Sequence, residues 1–388
     1  MSLQPSRAGS AALLVLAAAL ACGTPSIVAP TTATAKLDVP PDLDAVLAKA
    51  MHGTKVPAIA VLVMRNGEFA QQAVRGVRRS DGTAPAQQGD VWLIGSNGKP
   101  MTAALIARLV DRDVLTWDAP LETMLPELAA SMRPEYRSVT LIQLLSNHSG
   151  LPRDLRDVAF LAAFMTDTRE LPQQRLACVT QALKEAPELA PGTASAYSNT
   201  GFIIAAVIAE RATGSSYEDL MRREVFQPLG MTSVGFGMTR DGQPRGHRGD
   251  KPVLSPPARL DDGAPMMYAP AGYLHMSLRD WALFSLDQMA GSKGHGKLLK
   301  PASYTLMQTP RFGDNDGLGW GVQDSIAGRK GPVLVHGGSD GNWLAWVVLF
   351  PELGTGVLVA ANAAGDMGGE AATNAVLGAM FPSLSPAK

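Results

Sequence analysis

The stretch PAIAVLVMR (57–65), followed by Asn66-Gly67 and then EFAQQAVRGV (68–77), decides the architecture. Asn-Gly between two strand-like runs is the strongest short signal for a two-residue hairpin turn. The far end of the chain reads alike. VLVHGG (333–338), WLAWVVLF (343–350) and GTGVLVAANA (354–363) are three apolar runs separated by short turns, and GEAATNAVLGAMF (369–381) after them has helical spacing. Between these ends, residues 101–113, 139–148, 173–186, 200–213, 216–226 and 278–290 place apolar side chains near i, i+3 and i+4, the mark of amphipathic helices. Strands at both ends with helices between them predict an α+β fold: one antiparallel sheet formed from both chain ends, with a mostly helical lobe inserted. The sheet lobe is expected over about 40–95 and 315–385, and the helical lobe over about 100–290. Residues 235–265, rich in Gly, Pro, Arg and Asp, form too long a connection to be an ordinary turn and read as a functional wall or a mobile loop; the choice of substrate is expected to depend on this loop and on the segment 153–172.

The whole chain has 388 residues, 34 Lys+Arg against 35 Asp+Glu, 46% hydrophobic and 18% charged residues. That balance supports packed cores and excludes a disordered or fibrous chain. A net charge of −1 gives no electrostatic footprint for nucleic acid or for an acidic membrane surface. The only cysteines, Cys22 and Cys178, exclude a disulfide framework and a cysteine zinc site.

Residues 1–35 read as a signal peptide and spacer. Arg7 and the free amine precede AALLVLAAALA (11–21), too short to span a bilayer. Two processing sites compete: Ala33-Thr34-Ala35, which would start the mature chain at Lys36, and Ala19-Leu20-Ala21-Cys22, which resembles a bacterial lipobox and would put a lipid anchor on Cys22. The expectation is an exported protein, periplasmic or membrane-anchored as a lipoprotein, with its main domain over 36–388. Cys178 lies among Leu176, Ala177 and Val179 and reads as a buried, inert helical thiol.

Ser96-Asn97-Gly98-Lys99 follows the apolar run Val91–Ile94 and opens a helix, since Pro100 is tolerated only in a first turn. At i and i+3 the Lys99 amine can reach the Ser96 hydroxyl, and the helix N-terminus favours an anion there. An adjacent proton acceptor and a positive field are what a serine nucleophile requires. The pattern alone is weak: 24 Ser and 11 Lys give roughly 0.7 chance matches, and a second one stands at Ser385–Lys388 in the tail. Alone, Ser96 reads as well as a helix cap. Tyr197-Ser198-Asn199 sits in a loop before the next helix, as caps and packing or as a phenol and an amide at a cleft rim. His336-Gly337-Gly338-Ser339 ends a strand, where glycine marks close approach by another backbone or a ligand. Asn147-His148-Ser149-Gly150 reads as a helix C-terminal cap. The remaining histidines have no metal-ligand spacing, Gly317, Gly319 and Gly321 lack a dinucleotide-binding context, and no G-x-S-x-G elbow occurs. No metal and no cofactor is expected.

These three motifs, in this order, resemble the serine β-lactamase and penicillin-binding-protein superfamily, in the branch of class C β-lactamases, D-alanyl-D-alanine carboxypeptidases and related esterases. LIQLLSNHSGLP (141–152), AGYLHMSLRDWALF (271–284), GLGWGV (317–322) and the C-terminal strands are similar to it as well, so the resemblance covers about residues 40–380. It implies a β-lactamase/transpeptidase-like fold in which Ser96 becomes acylated and Lys99 and Tyr197 exchange its proton. Either can be the base, and two coupled groups make a single assignment unsafe. Asn199 would hold the substrate amide, the N–H groups of Ser96 and Ser339 would form the oxyanion hole, and His336, Gly337 and Gly338 would line the substrate strand. The chain departs from the Lys-Thr-Gly of efficient β-lactamases by having His336-Gly337-Gly338. A histidine is only partly charged near pH 7 and Gly337 offers no hydroxyl, which favours esters or D-amino-acid peptides and amides over β-lactams. If a protonated His336 holds a carboxylate, kcat/KM for an acidic substrate should fall as pH rises through about 6.5. The expected partner is a small-molecule or peptidoglycan-like substrate.

Overall fold

The structure, a computed structural model, describes residues 41–253, 256–257 and 259–384. The signal-peptide and Cys22 expectations lie outside them. The Asn66-Gly67 turn joins β1 (Ala58–Arg65) to β2 (Glu68–Gly76), and Asn66 adopts φ 53°. Short strands follow in the middle of the chain: β3 (Val91–Leu93), β4 (Gly235–Phe236), β5 (His247–Arg248), β6 (Lys251–Pro252) and β7 (Leu274–Ser277). At the far end come β8 (Gly321–Ile326), β9 (Arg329–Ser339), β10 (Leu344–Phe350) and β11 (Thr355–Ala361).

The main sheet runs β2-β1-β11-β10-β9-β8 and is antiparallel throughout. The two chain ends meet at β1 and β11, with Ile59 opposite Ala361 and Val63 opposite Val357. The expected α+β architecture is therefore present, with one strand beyond those read from the sequence: β8, whose pattern of VQDSI carries too few apolar residues to stand out.

The unbroken apolar run in β1 follows from a sheet buried on both faces. Alternate residues point opposite ways. Ala58, Ala60, Leu62 and Met64 join the core shared with the helical lobe, whereas Ile59, Val61 and Val63 join a second core. That second core is closed by two terminal helices, Leu43–Met51 and Gly369–Met380. The first of these was not read from the sequence, although Asp42 caps it by accepting from the N–H groups of Asp44 and Ala45.

In the helical lobe, helices occupy Lys99–Asp111, Leu171–Ala182, Asn199–Thr213 and Leu278–Ser292. The helix expected over 139–148 is only Leu141–Leu145. A Thr140/Gln143 capping box starts it, and Asn147 at φ 62° turns the chain away. The segment expected as one helix over 216–226 is α-helical over Tyr217–Met221 and continues as a π-helical turn over Arg222–Phe226. Cys178 is fully buried and burial pushes its thiol up to about 12, so it is inert.

Candidate active site

Ser96 lies in a tight 3-10 turn, Gly95–Gly98, and the α-helix proper begins at Lys99, three residues later than the sequence suggests. The turn is held from both sides by backbone, and glycines make that possible. A β-carbon on Gly338 would stand 2.1 Å from the Ile94 carbonyl oxygen and 2.7 Å from the Ser96 nitrogen. One on Gly95, whose φ is 54°, would stand 2.4 Å from the Ser339 nitrogen. One on Gly272 would stand 2.3 Å from the Gly95 oxygen. Three residues without side chains thus let the end of β9 and the segment before β7 press against the nucleophile turn, bringing the Ser96 and Ser339 amides together. The Asn97 amide ties the turn to the sheet, donating to the carbonyls of Ile94 at 2.6 Å and Ala345 at 3.2 Å.

Around the Ser96 hydroxyl, the Lys99 Nζ lies at 3.1 Å and the Tyr197 hydroxyl donates to it at 2.7 Å. Lys99 is fully buried and also donates to Asn199 Oδ1 and to the Ala271 carbonyl, both at 2.6 Å. As an ammonium it supplies a proton to all three acceptors. As a neutral amine it keeps Asn199 and Ala271 and offers its lone pair to the Ser96 proton. The geometry therefore serves either direction of proton transfer, and Tyr197 stands on the other side of the same oxygen as a second route.

Asn199 is engaged at both ends of its amide. Its Oδ1 receives Lys99 and its Nδ2 donates to Asp154 Oδ1 at 2.9 Å, leaving one N–H for a substrate. Tyr268 also donates to Asp154 Oδ1, at 3.0 Å. Ser198 caps the helix behind Asn199, accepting from Gly201 N–H and donating to the Pro152 carbonyl at 2.7 Å. The Asn147–Gly150 loop braces this segment from below: Asn147 accepts from Ala196 N–H through its carbonyl and from Ser198 N–H through Oδ1. Arg153, Asp154 and Tyr268 were missed by sequence reasoning. Arg153-Asp154 directly follows the quoted SNHSGLP stretch, but nothing in a single sequence brings it to Asn199, which is reached only through the fold.

Ser96, Asn199 and Ser339 line a cleft with about 1000 Å³ of empty space, part of it open to solvent, walled also by Arg153, Asp154 and Tyr268. His336 and Gly337 lie on β9 and meet different neighbours. His336 pairs with Val347 across β9 and β10, on the face turned to the helical lobe. Burial and the neighbouring Lys99 ammonium push its imidazole down to about 3, and its Nδ1 lies 2.7 Å from the Gly337 carbonyl oxygen. An imidazole pushed that far down would carry little charge near pH 7, which disfavours both the carboxylate-holding role and the expected loss of acidic-substrate turnover through pH 6.5. Gly337 faces its cross-strand neighbour Trp346, whose ring carbon would stand 2.7 Å from a β-carbon there. The place of the missing hydroxyl is filled by an indole. No group of three or more His, Cys, Asp or Glu side chains able to hold a metal occurs among the described residues.

A serine whose hydroxyl is shared by a lysine and a tyrosine, set between an antiparallel sheet and a helical lobe, defines the serine acyl-transfer class of β-lactamases and penicillin-binding proteins. The chain belongs to the beta-lactamase family, whose model matches residues 43–379. It is 28% identical over 317 residues to penicillin-binding protein 4 of Amycolatopsis lactamdurans, covering 79% of this chain and 80% of that protein. It is 25% identical, with the same coverage, to the D-alanyl-D-alanine-carboxypeptidase/endopeptidase AmpH of Escherichia coli K12. It is 30% identical over 246 residues to the esterase EstB of Burkholderia gladioli, covering 59% of this chain and 62% of that one. Among solved structures, an octameric penicillin-binding protein homologue from Pyrococcus abyssi shares the fold with a TM-score of 0.71 at 23% identity, covering 88% of this chain and 77% of that one.

Proposed function

We propose that the chain is an exported serine hydrolase that forms an acyl-enzyme at Ser96 on esters or on D-amino-acid peptides and amides. The observation that carries this reading is the placement of Lys99 Nζ and the Tyr197 hydroxyl at 3.1 and 2.7 Å from one serine oxygen. In the first half-reaction Ser96 Oγ bonds to the substrate carbonyl carbon and its proton passes to the Lys99–Tyr197 pair. The carbonyl oxygen becomes an oxyanion held by the Ser96 and Ser339 N–H groups, and collapse expels the alcohol or amine, which takes the proton back. Water then repeats the sequence on the ester and frees Ser96. Relatives named as carboxypeptidase and esterase support both substrate classes.

A β-lactamase of the class C type is the second reading. The neutral His336 and the indole beside Gly337 favour it less, because they leave the β9 position without the cation and hydroxyl a β-lactam carboxylate would meet. A penicillin-binding protein without turnover is the third. Export rests on the apolar run 11–21 and its flanks, and a periplasmic or Cys22-anchored location follows from that reading alone.

The test is an activity screen of short p-nitrophenyl esters, nitrocefin and a D-Ala-D-Ala peptide, run beside Ser96→Ala and read with a fluorophosphonate label. Ester or peptide turnover and label, both lost in Ser96→Ala, are expected. Label of equal strength in Ser96→Ala would end the proposal.

A further inference from the structure

With His336 neutral, the cleft lacks the cation that the family position would supply on β9. A different cation lines it. Arg153 is among the lining residues, with its guanidinium 4.9 Å from the centre of the Tyr197 ring, the ring whose hydroxyl reaches Ser96. About one tyrosine side chain therefore separates Arg153 from the nucleophile. The cation–π contact seats the guanidinium over the Tyr197 ring beside the cleft that Arg153 lines. Among the described residues its charged partner is Asp154, Nε to Oδ2 at 3.6 Å, too long for a hydrogen bond. Asp154 commits its other oxygen to Asn199 and Tyr268. The Arg153 side chain is 44% exposed, so it stands at the rim and not in the core.

We propose that Arg153 is the anion-recognising residue of this cleft: it takes a carboxylate on the substrate, a few bonds from the scissile carbonyl, in the two-pronged geometry that a guanidinium offers. This rests on the serine-hydrolase reading and deepens it. The preferred substrates are acids bearing the scissile ester or amide, and the carboxylate is met on the Tyr197 side of the cleft instead of on β9. The field acting on them is the Arg153 charge together with the buried Lys99 ammonium, opposed by Asp154. Lys99 lies 4.8 Å from the same ring centre as Arg153, so one phenol is flanked by both cations. This preference does not depend on the charge of His336.

The experiment compares p-nitrophenyl butyrate with the mono-p-nitrophenyl ester of succinic acid, matched in length and differing by a terminal carboxylate. It follows both turnover and the rate of acylation of Ser96 by mass spectrometry. The anionic-to-neutral ratio of kcat/KM is expected to fall about ten- to a hundredfold in Arg153→Gln, to be partly restored in Arg153→Lys, and to fall further in Arg153→Glu. Added salt should erode the ratio in the wild type and leave it flat in Arg153→Gln. A ratio that does not move in Arg153→Gln and Arg153→Glu, while both esters still acylate Ser96, overturns the anion site and leaves the hydrolase reading standing. If neither ester acylates Ser96 in the wild type, both fall. Because the readout is a ratio within one protein, a variant that is merely less well folded does not mimic the expected result.

Discussion

Gly338 and Ser96 touch through their backbones: a single added methyl on Gly338 would stand 2.7 Å from the Ser96 nitrogen and 2.1 Å from the Ile94 oxygen. The nucleophile turn and the end of β9 thus share a space that no side chain can enter, and the two amides expected to hold the oxyanion depend on that contact.

Gly338→Ala should push the 3-10 turn away from β9. Ser96-dependent turnover is expected to fall about a hundredfold or more, the size of losing one oxyanion donor. Overpacking should cost about 1–3 kcal/mol of stability. Gly378 offers the contrast, since it lies exposed in the Gly369–Met380 helix with nothing within 4 Å of its would-be β-carbon. Gly378→Ala should stabilise by about 0.5–1 kcal/mol. Urea unfolding and ester kinetics on the two variants check both halves.

Lys99 and Tyr197 act on one oxygen, so their removal should not be additive. Lys99→Met and Tyr197→Phe are each expected to lower kcat by about a hundredfold or more, the scale of lost acid–base catalysis. The double variant should fall little below the worse single one, because either change already breaks the shared proton path. Losses that simply multiply would mean the two groups serve separate steps.

The centre of the sheet was legible because both of its faces are buried there: β1 and β11 carry long apolar runs, and Asn66-Gly67 fixes their hairpin neighbour. The β8 strand was not, since only Val322 and Ile326 of Gly321–Ile326 are buried. Of the site, Ser96 with Lys99 and Tyr197 with Asn199 were singled out from the residues, but each pattern also read as helix capping, and only the three motifs in order, through the family resemblance, gave them roles. Arg153, Asp154 and Tyr268 were not singled out because their role arises only when the fold brings Asp154 to Asn199, 45 positions away, and to Tyr268, 114 positions away. His336 was found by its motif, and its charge was read from a histidine's ordinary pKa, whereas the fold sets it beside Lys99 and lowers that pKa. A histidine's ordinary pKa says nothing of a partly buried position beside a lysine.

That correction carries a pH prediction. The His336 pKa is lowered in the folded state to about 3, by burial first and the Lys99 ammonium second. Between about 6.5 and that value the unfolded chain binds a proton at this residue that the folded chain does not. Its contribution to stability is therefore present above the unfolded pKa and is lost as pH falls. His336→Asn should show a smaller drop in Tm between pH 7 and pH 4 than the wild type. The shape of the kcat/KM profile between pH 5 and pH 8 should be the same in both, as His336 does not titrate there. A pH limb near 6.5 that disappears in His336→Asn would restore the charged role.

Away from the cleft, stability hinges on Arg175, which is fully buried between two carboxylates. Its Nη2 lies 2.9 Å from Glu218 Oε2 and its Nε 3.1 Å from Glu210 Oε1. Glu210 also accepts from Tyr217 N–H at 2.8 Å, and the Tyr217 hydroxyl lies 2.8 Å from Thr102 Oγ1, on the helix that follows Ser96. Removing the cation strands two buried charges, so Arg175→Met should cost about 3–5 kcal/mol. Neutralising the partners as well, in Arg175→Met with Glu210→Gln and Glu218→Gln, should recover much of that loss, because the cost lies in uncompensated charge and not in missing attraction. Denaturant midpoints of the single and triple variants measure this. A triple variant as unstable as the single one would place the loss in packing around the guanidinium instead.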